Sequence, residues 1–235
     1  MPGSRCRRPA TTSGNKSASE QVRRASSLGG SSCTVATVSN FRIISPADFH
    51  AEKWRNGRGE TRVRHTETLP DSNDFAYRLS IASVDTDGPF SEFPGYDRTL
   101  VLLAGTGVHL RYDEGHFDEL RSKFDVARFS GDSKTVATLR KGPIQDFNLM
   151  SHRISCIAQL DLAGQSARPE LEIHSKVLLA YAVDCEVEVR LPSQEVMVIE
   201  PNHLMHCENP AQGTWQFRQG PAIVVQVFKN TTGET

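Results

Sequence analysis

The stretch Thr99-Leu100-Val101-Leu102-Leu103, then Gly105-Thr106-Gly107, then Val108-His109-Leu110-Arg111-Tyr112, decides the class of fold. Short apolar segments rich in β-branched and aromatic residues are typical of strands, and glycines supply the backbone conformations that tight turns need. The stretch therefore predicts two strands joined as a β-hairpin.

The same pattern recurs along the chain. Residues 75–81 alternate apolar with small or polar residues, the period of two that belongs to a strand. The further predicted strands are 125–129, 135–139, 154–160, 177–183, 186–191, 195–199, 214–217 and 223–228. Many short strands with turns between them favour an antiparallel β-sandwich or barrel. The sequence therefore predicts an all-β fold.

Two segments depart from the strand pattern. Ser45-Pro46-Ala47-Asp48 contains a capping residue, a proline suited to the first helical position and an acidic residue in the first turn. We therefore predict a short helix over residues 46–53. Residues 118–124 are predicted to form one helical turn.

Composition excludes several classes of function. The 235 residues carry a formal net charge of −1, which argues against a dedicated nucleic-acid-binding protein. No apolar run approaches the ~20 residues that a membrane helix needs. The five cysteines are scattered and form no Cys-x-x-Cys pair, a usage typical of a reduced compartment. We therefore expect a cytoplasmic protein that binds neither nucleic acid nor membrane.

The first forty residues differ from the rest. They hold six basic residues and one acidic residue, are rich in Ser, Thr and Gly, and show almost no apolar periodicity. Such a composition buries too little apolar surface to offset chain entropy. We predict a disordered tail over residues 1–40 and a folded domain over residues 41–230. A transit peptide, a nucleic-acid-binding arm and a leader without function are the alternative interpretations of the tail.

Four polar clusters stand out between or within the strands. They are Trp54-Arg55-Asn56-Gly57-Arg58-Gly59-Glu60-Thr61, Tyr77-Arg78-Leu79-Ser80, Gly88-Pro89-Phe90-Ser91-Glu92-Phe93-Pro94-Gly95-Tyr96-Asp97-Arg98, and Gly142-Pro143-Ile144-Gln145-Asp146-Phe147-Asn148-Leu149-Met150. Taken singly, each is typical of a turn, a cap or an ordinary strand. Together and in this order, with Phe129, Gly131 and Asp132 between the third and the fourth, the sequence resembles the HutD/Ves family. These are cupin-like β proteins associated with histidine utilisation.

The resemblance implies both a fold and a role. The fold would be bicupin-like, with two packed cupin-like units in one chain that pairs as a homodimer. The role would be regulatory, with a small buried pocket for a small acidic metabolite. We therefore predict a protein that binds a small carboxylate and modulates histidine utilisation, with formate, urocanate or a formylated amino acid as candidate ligands.

Arg98 and Arg78 are the candidate anchors of that ligand. Arg98 opens the most apolar predicted strand, where an isolated charge is costly to bury. Its partner is either a carboxylate of the protein, such as Asp97 or Asp146, or the carboxylate of a ligand, which a guanidinium binds through two hydrogen bonds. The other candidate ligand-binding residues are Trp54, Asn56, Ser80, Ser91, Asp146 and Asn148, with Phe93, Phe147 and Met150 as apolar walls.

A metal-dependent cupin enzyme, an isomerase or a dioxygenase, is the main alternative. The resemblance to cupins raises it, because enzymatic cupins bind iron, manganese or nickel through His-x-His, a Glu and a later His. This chain has no His-x-His, and His203 and His206 would point to opposite faces of a strand. We therefore predict no metal and no other cofactor, and incline against catalysis. A stress-related protein with a vestigial pocket is the third interpretation.

Overall fold

The computed structural model describes residues 40–53, 59–70, 72–164 and 169–230. The first strands are β1 (Asn40–Ile44), β2 (His50–Lys53), β3 (Gly59–Thr68), β4 (Phe75–Val84), β5 (Gly88–Pro89), β6 (Tyr96–Ala104), β7 (Val108–Tyr112), β8 (Phe117–Leu120), β9 (Val126–Ser130), β10 (Thr135–Leu139) and β11 (Ile144–His152). The later ones are β12 (Cys156–Ala163), β13 (Glu170–Ile173), β14 (Val177–Ala182), β15 (Val187–Arg190), β16 (Val196–Ile199), β17 (Leu204–Glu208), β18 (Gly213–Arg218) and β19 (Ala222–Lys229). One 3-10 helix, Pro46–Asp48, lies between β1 and β2.

These strands form four antiparallel sheets. A six-stranded sheet in the order β2-β3-β4-β11-β6-β9 and a four-stranded sheet in the order β5-β10-β7-β8 make up what we call the N-terminal unit. A five-stranded sheet in the order β1-β17-β14-β19-β12 and a four-stranded sheet in the order β13-β18-β15-β16 make up the C-terminal unit. Each strand predicted from the sequence corresponds to an observed strand, so the all-β class is confirmed.

Three apolar cores hold the sheets together in layers. The first lies between the two large sheets and contains Phe147 and Tyr181. The second fills the C-terminal unit between its two sheets and contains Trp215. The third lies between the two sheets of the N-terminal unit and contains Leu100 and Leu110. The layers therefore follow the order small sheet, large sheet, large sheet, small sheet. This is the arrangement of two packed β units that the resemblance implied.

β6 and β7 do not form the predicted hairpin. β6 pairs with β11 and β9, whereas β7 pairs with β10 and β8. The turn between them therefore carries the chain from the large sheet of the N-terminal unit to its small sheet. Gly105 and Gly107 permit this turn with φ values of +98° and +121°. The local pattern predicted the strands and the turn, but it does not specify distant partners.

The two predicted helical segments are mainly extended. Pro46–Asp48 forms a single 3-10 turn, and the chain then enters β2, which pairs with β3. Residues 118–120 belong to β8, which pairs with β7. Pairing with a neighbouring strand satisfies the backbone donors and acceptors of each segment, and this tertiary context overrides a short helix signal.

Three further predictions concern the N-terminal tail, membrane helices and the state of the cysteines. The predicted disorder of the tail concerns residues almost entirely outside the described ranges and stays a prediction. Within the described part of the chain, no helix is both long and apolar enough to cross a membrane. Cys156 and Cys207 are free and buried, whereas Cys185 is disulfide-bonded. The expectation of reduced cysteines is therefore not met at Cys185.

Candidate ligand-binding pocket

A pocket of about 410 Å³ lies on the face of the large sheet that is turned toward the small sheet of the N-terminal unit. It is lined by Glu52, Thr61, Arg78, Ser80, Ala82, Pro89, Phe90, Ser91, Phe93, Arg98, Asp146, Asn148 and Met150. Eight of these were predicted from the sequence: Arg78, Ser80, Ser91, Phe93, Arg98, Asp146, Asn148 and Met150. Of the other three predicted site residues, Trp54 and Asn56 lie outside the described ranges and Phe147 does not line the pocket. The structure therefore gathers eight of the nine described candidates around one cavity.

The register of three neighbouring strands explains this gathering. β11 lies between β4 and β6, and Met150 on β11 is opposite both Arg78 on β4 and Arg98 on β6. Two residues along, Asn148 is opposite Ser80. Because side chains alternate along a strand, these even-numbered residues share the face that lines the pocket.

The odd-numbered residues of β11 point the other way, which corrects one prediction. Phe147 was predicted to be an apolar wall of the pocket. It belongs instead to the core between the two large sheets, where its ring lies 5.9 Å from that of Tyr181. Phe147 directly follows Asp146, and two consecutive strand residues face opposite sides of a sheet. The apolar walls are Phe93 and Met150, as predicted, together with Phe90.

Arg98 is buried, with 6% of its surface exposed. Its Nη1 atom donates a hydrogen bond to the carbonyl oxygen of Ser91 at 3.1 Å. The centre of the guanidinium group lies 4.9 Å from the ring of Phe129, 5.5 Å from Phe93 and 5.6 Å from Phe90. Such aromatic faces attract a cation but do not neutralise it. Its Nε atom is buried and has no hydrogen-bond partner.

Neither carboxylate that the sequence offered forms an ion pair with Arg98. The Asp97 carboxylate accepts from Arg153 at 2.6 Å, away from the pocket. Asp146 lines the same pocket but makes no ion pair within the described ranges, and its Oδ1 atom has no hydrogen-bond partner. Among the described residues, the internal ion pair, one of the two open interpretations of Arg98, is therefore not formed.

Burial shifts both charged groups toward their neutral forms. It lowers the pKa of Arg98 to about 10, an effect that the negative charge of Asp146 opposes. It raises the pKa of Asp146 to about 7, an effect that the positive charge of Arg98 opposes. Near neutral pH, the pocket therefore holds a charged guanidinium and a carboxyl group that is only partly ionised.

Arg78 is in a different position, because Glu52 neutralises it. The Nη2 atom of Arg78 donates to Oε2 of Glu52 at 2.7 Å, and Glu52 is largely exposed.

The sequence did not predict every lining residue of the pocket. Glu52 was missed because it lay within the segment predicted as a helix. Thr61, Ala82, Pro89 and Phe90 were missed as well. Three of these, Thr61, Pro89 and Phe90, belong to the motifs quoted above, which was a usable signal.

The loop that carries Ser91 and Phe93 is fixed by Gly131 and its neighbours. The Phe93 amide donates to the Gly131 carbonyl oxygen at 2.8 Å, and a Cβ atom on Gly131 would lie only 2.3 Å from the Phe93 carbonyl oxygen. Asp132 accepts from the Gly95 amide at 3.0 Å and pairs with Arg153 at 2.6 Å. The Phe129-Gly131-Asp132 element therefore supports one wall of the pocket.

The pocket does not fit the metal centre of an enzymatic cupin, because none of its described lining residues is a histidine. No group of three or more His, Cys, Asp or Glu residues in the described ranges is placed to hold a metal ion. His206 is buried, with its ring 4.7 Å from that of His65, whereas Nδ1 of His203 lies 3.1 Å from the Pro201 carbonyl oxygen. The two histidines do not converge. That the protein binds no metal stays a prediction.

Solved structures show the same architecture. A conserved protein of unknown function from Pseudomonas aeruginosa PAO1 is 31% identical, with a TM-score of 0.70 over 81% of this chain and 100% of that chain. HutD from Pseudomonas fluorescens SBW25, in a structure described as the formate condition, is 24% identical, with a TM-score of 0.70 over 81% of this chain and 99% of that chain. A mutant of Bacillus subtilis oxalate decarboxylase is 11% identical, with a TM-score of 0.53, and shares the bicupin fold alone.

Sequence relatives agree with this assignment. An uncharacterized 21.2 kDa protein in the hutC 3′ region of Pseudomonas putida is 31% identical over 159 residues, 68% of this chain and 82% of the relative. Protein Ves of Escherichia fergusonii is 38% identical over 114 residues, 48% of this chain and 59% of the Ves protein. The alignment thus spans about three fifths of Ves. The sequence model of the HutD family matches residues 46–225, and the chain therefore belongs to the HutD family.

Proposed function

We propose that the protein binds a small carboxylate-bearing metabolite in the pocket of the N-terminal unit, and that this binding modulates histidine utilisation. The observation that carries the proposal is Arg98, a buried guanidinium with an unpaired Nε atom and no ion pair in the described structure. A buried charge without a counter-charge is costly, and a ligand carboxylate supplies that counter-charge. Arg98 is therefore the proposed anchor.

The remaining lining residues suit a small polar acid. Ser80 and Asn148 supply hydrogen-bonding groups, and Phe93 and Met150 supply apolar walls. Pockets for small molecules are commonly ~300–1,000 Å³, and the volume of about 410 Å³ lies in the lower part of this range. Formate, urocanate and an N-formylated amino acid are the candidate ligands, because each carries a carboxylate within these dimensions.

The cellular part of the proposal rests on the family. The chain belongs to the HutD family, which is linked to histidine utilisation. The Pseudomonas putida relative is named for its position beside hutC, and the Pseudomonas fluorescens HutD structure is described as a formate condition. Reversible binding of a small acid in such a pocket suits a protein that responds to the level of that metabolite. The predicted homodimer and cytoplasmic location remain proposals, and light scattering of the purified protein tests the first.

Calorimetry on single variants tests the anchor. Formate, urocanate and N-formylglutamate are titrated into the wild type, Arg98→Ala and Arg98→Lys. Loss of a bidentate pair in a poorly hydrated site commonly costs ~2–5 kcal/mol, roughly thirtyfold to several thousandfold in affinity. Arg98→Lys keeps the charge but loses the planar fork, so we expect weaker binding there too.

Arg190→Ala is the matched control, because Arg190 lies on the C-terminal unit, where it pairs with Glu188 at 3.7 Å. We expect it to bind as the wild type does, and circular dichroism checks that every variant folds. If Arg98→Ala folds and binds the same acid as tightly as the wild type, Arg98 is structural and Arg78 becomes the candidate anchor. Growth on histidine as sole nitrogen source, with Arg98→Ala replacing the chromosomal gene, tests the cellular role.

A further inference from the structure

We propose that Asp146 enters the ligand complex as a neutral carboxylic acid, so that each carboxylate bound at Arg98 brings one proton into the pocket. The proposal rests on the proposed function, since it concerns the same pocket. It assigns Asp146 the part of a hydrogen-bond donor to the ligand. It also makes the affinity for the metabolite depend on pH.

The position of Asp146 is the first support. Its side chain is 1% exposed and its Oδ1 atom has no hydrogen-bond partner. Its partners in the sheet are Ala82 on one side and Leu102 on the other, neither of which has a polar side chain. A buried carboxylate without hydrogen bonds is strongly disfavoured relative to the neutral acid. The site therefore favours protonation.

The spacing between Asp146 and Arg98 is the second support. Arg98 is in the row of Met150, four residues along β11 from Asp146. At ~3.3 Å per residue, the two rows are roughly 13 Å apart at the backbone. No ion pair joins the two groups in the described ranges, yet the charge of each acts on the pKa of the other. Because both line the same pocket, we infer that a ligand carboxylate bound at the guanidinium also meets the carboxyl group.

The charges around the pocket determine what happens on binding. Arg98 faces it from β6, Arg78 from β4 and Glu52 from β2. Arg78 and Glu52 neutralise each other at 2.7 Å. Tyr112, on β7 behind Arg98, donates its hydroxyl to Asp118 at 2.8 Å. Among the described lining residues, Arg98 therefore remains as the cation without a counter-charge, and it is the group that favours the ionised form of Asp146.

A bound anion removes that support. Once a ligand carboxylate neutralises Arg98, an ionised Asp146 faces a like charge in a poorly hydrated site, and protonation relieves the repulsion. The neutral acid then donates its O–H to the ligand, a charge-assisted hydrogen bond. Since the pKa of Asp146 is already about 7 in the free protein, binding above pH 7 requires proton uptake. Affinity is then constant below about pH 6 and falls by about tenfold per pH unit above pH 7.

Calorimetry with formate as the probe tests this. Formate remains ionised from pH 6 to pH 9, so its own titration does not contribute. Titrations at each pH in two buffers of different ionisation enthalpy measure the number of protons taken up. We expect uptake near one proton per formate at pH 8 and an affinity roughly tenfold to a hundredfold weaker at pH 9 than at pH 7.

Asp146→Asn supplies the matched variant, because asparagine resembles the neutral acid in shape and stays uncharged. We expect its affinity to be independent of pH and its proton uptake to be zero. Asp184→Asn, which removes an exposed carboxylate that pairs with Lys123, should keep the wild-type pH dependence. The proton count on the wild type stands even if Asp146→Asn does not fold.

The outcomes separate this proposal from the proposed function. Formate binding that is equally tight from pH 6 to pH 9 without proton uptake overturns the role of Asp146 and leaves the pocket as a carboxylate site. Proton uptake that persists in a folded Asp146→Asn variant also overturns it. If formate, urocanate and N-formylglutamate all fail to bind at every pH, the proposed function fails and this proposal fails with it.

Discussion

The N-terminal and C-terminal units share an architecture but differ in what lies between their sheets. The interior of the C-terminal unit is a filled apolar core that contains the fully buried Trp215 and Phe217. The interior of the N-terminal unit contains an apolar core and, beside it, a pocket with Arg98 and Asp146. The N-terminal unit thus has a cavity between its sheets, whereas the space between the sheets of the C-terminal unit is filled by side chains.

Both units contain buried polar atoms without a hydrogen-bond partner, but these atoms lie in different surroundings. In the C-terminal unit they are Ser175 Oγ and His206 Nε2, and neither residue lines the pocket. In the N-terminal unit, Asp146 and Asn148 each have a buried oxygen without a partner. Both of these residues line the pocket, and unsatisfied polar atoms at a cavity indicate a site that a ligand completes. We therefore assign binding to the N-terminal unit and expect the filled core of the C-terminal unit to contribute more to stability.

The largest effect that we expect on this comparison comes from Trp215→Ala. It empties the core of the C-terminal unit and removes the hydrogen bond from Nε1 to the Ala211 carbonyl oxygen, 2.8 Å in length. A Trp-to-Ala change in a core costs about 3–5 kcal/mol in the free energy of unfolding, which denaturant titration measures. Phe93→Ala, at the pocket, should cost clearly less stability and reduce ligand binding. Equal losses of stability would contradict the assignment.

Asp146→Asn should stabilise the ligand-free protein, in a way that depends on pH. The pKa of Asp146 is about 7 in the folded state, above its unfolded value of ~3.9. The wild type therefore loses stability as pH rises from about 4 to about 7, because over this range the unfolded state releases the Asp146 proton while the folded state still binds it. We expect the variant to be more stable by about 2–4 kcal/mol at pH 8 and to equal the wild type near pH 4.

Thermal unfolding of both proteins across this pH range measures the difference. Asp184→Asn, at an exposed position, is the control and should show no such dependence. A wild type that is more stable than Asp146→Asn at pH 8 would mean that the carboxylate is needed in its charged form, and would contradict the unsatisfied character of the pocket.

Gly131→Ala should have the smallest effect on stability, about 1–3 kcal/mol, because the new methyl group displaces the Phe93 carbonyl oxygen. The displaced loop carries Ser91 and Phe93, so ligand affinity should fall as well. Gly115→Ala is the control: its φ of +89° strains alanine, but nothing lies within 4 Å of the added atom. Calorimetry should show normal binding for Gly115→Ala and weakened binding for Gly131→Ala. Wild-type affinity in Gly131→Ala would show that the loop does not position the site.

The sequence by itself determined the local features of this protein. Alternation of apolar and polar residues predicted the strands, because the two faces of a strand meet different surroundings. Glycine positions predicted the turn between β6 and β7. The motifs indicated the HutD family and placed Arg98, Asp146 and Asn148 among the candidate site residues. Each of these inferences depends on residues that are close in the chain.

The tertiary structure alone decided which segments meet. Nothing local places β6 and β7 in different sheets, turns the chain after Asp48 into a strand, or brings Glu52 to Arg78. The period of two separates Phe147 from Asp146 but does not say which of the two faces the pocket. Nor does it leave Arg98 without an ion pair, since that depends on strands far apart in the chain. Non-local pairing sets the face, the partner and the burial of each side chain, and thereby the chemistry of the pocket.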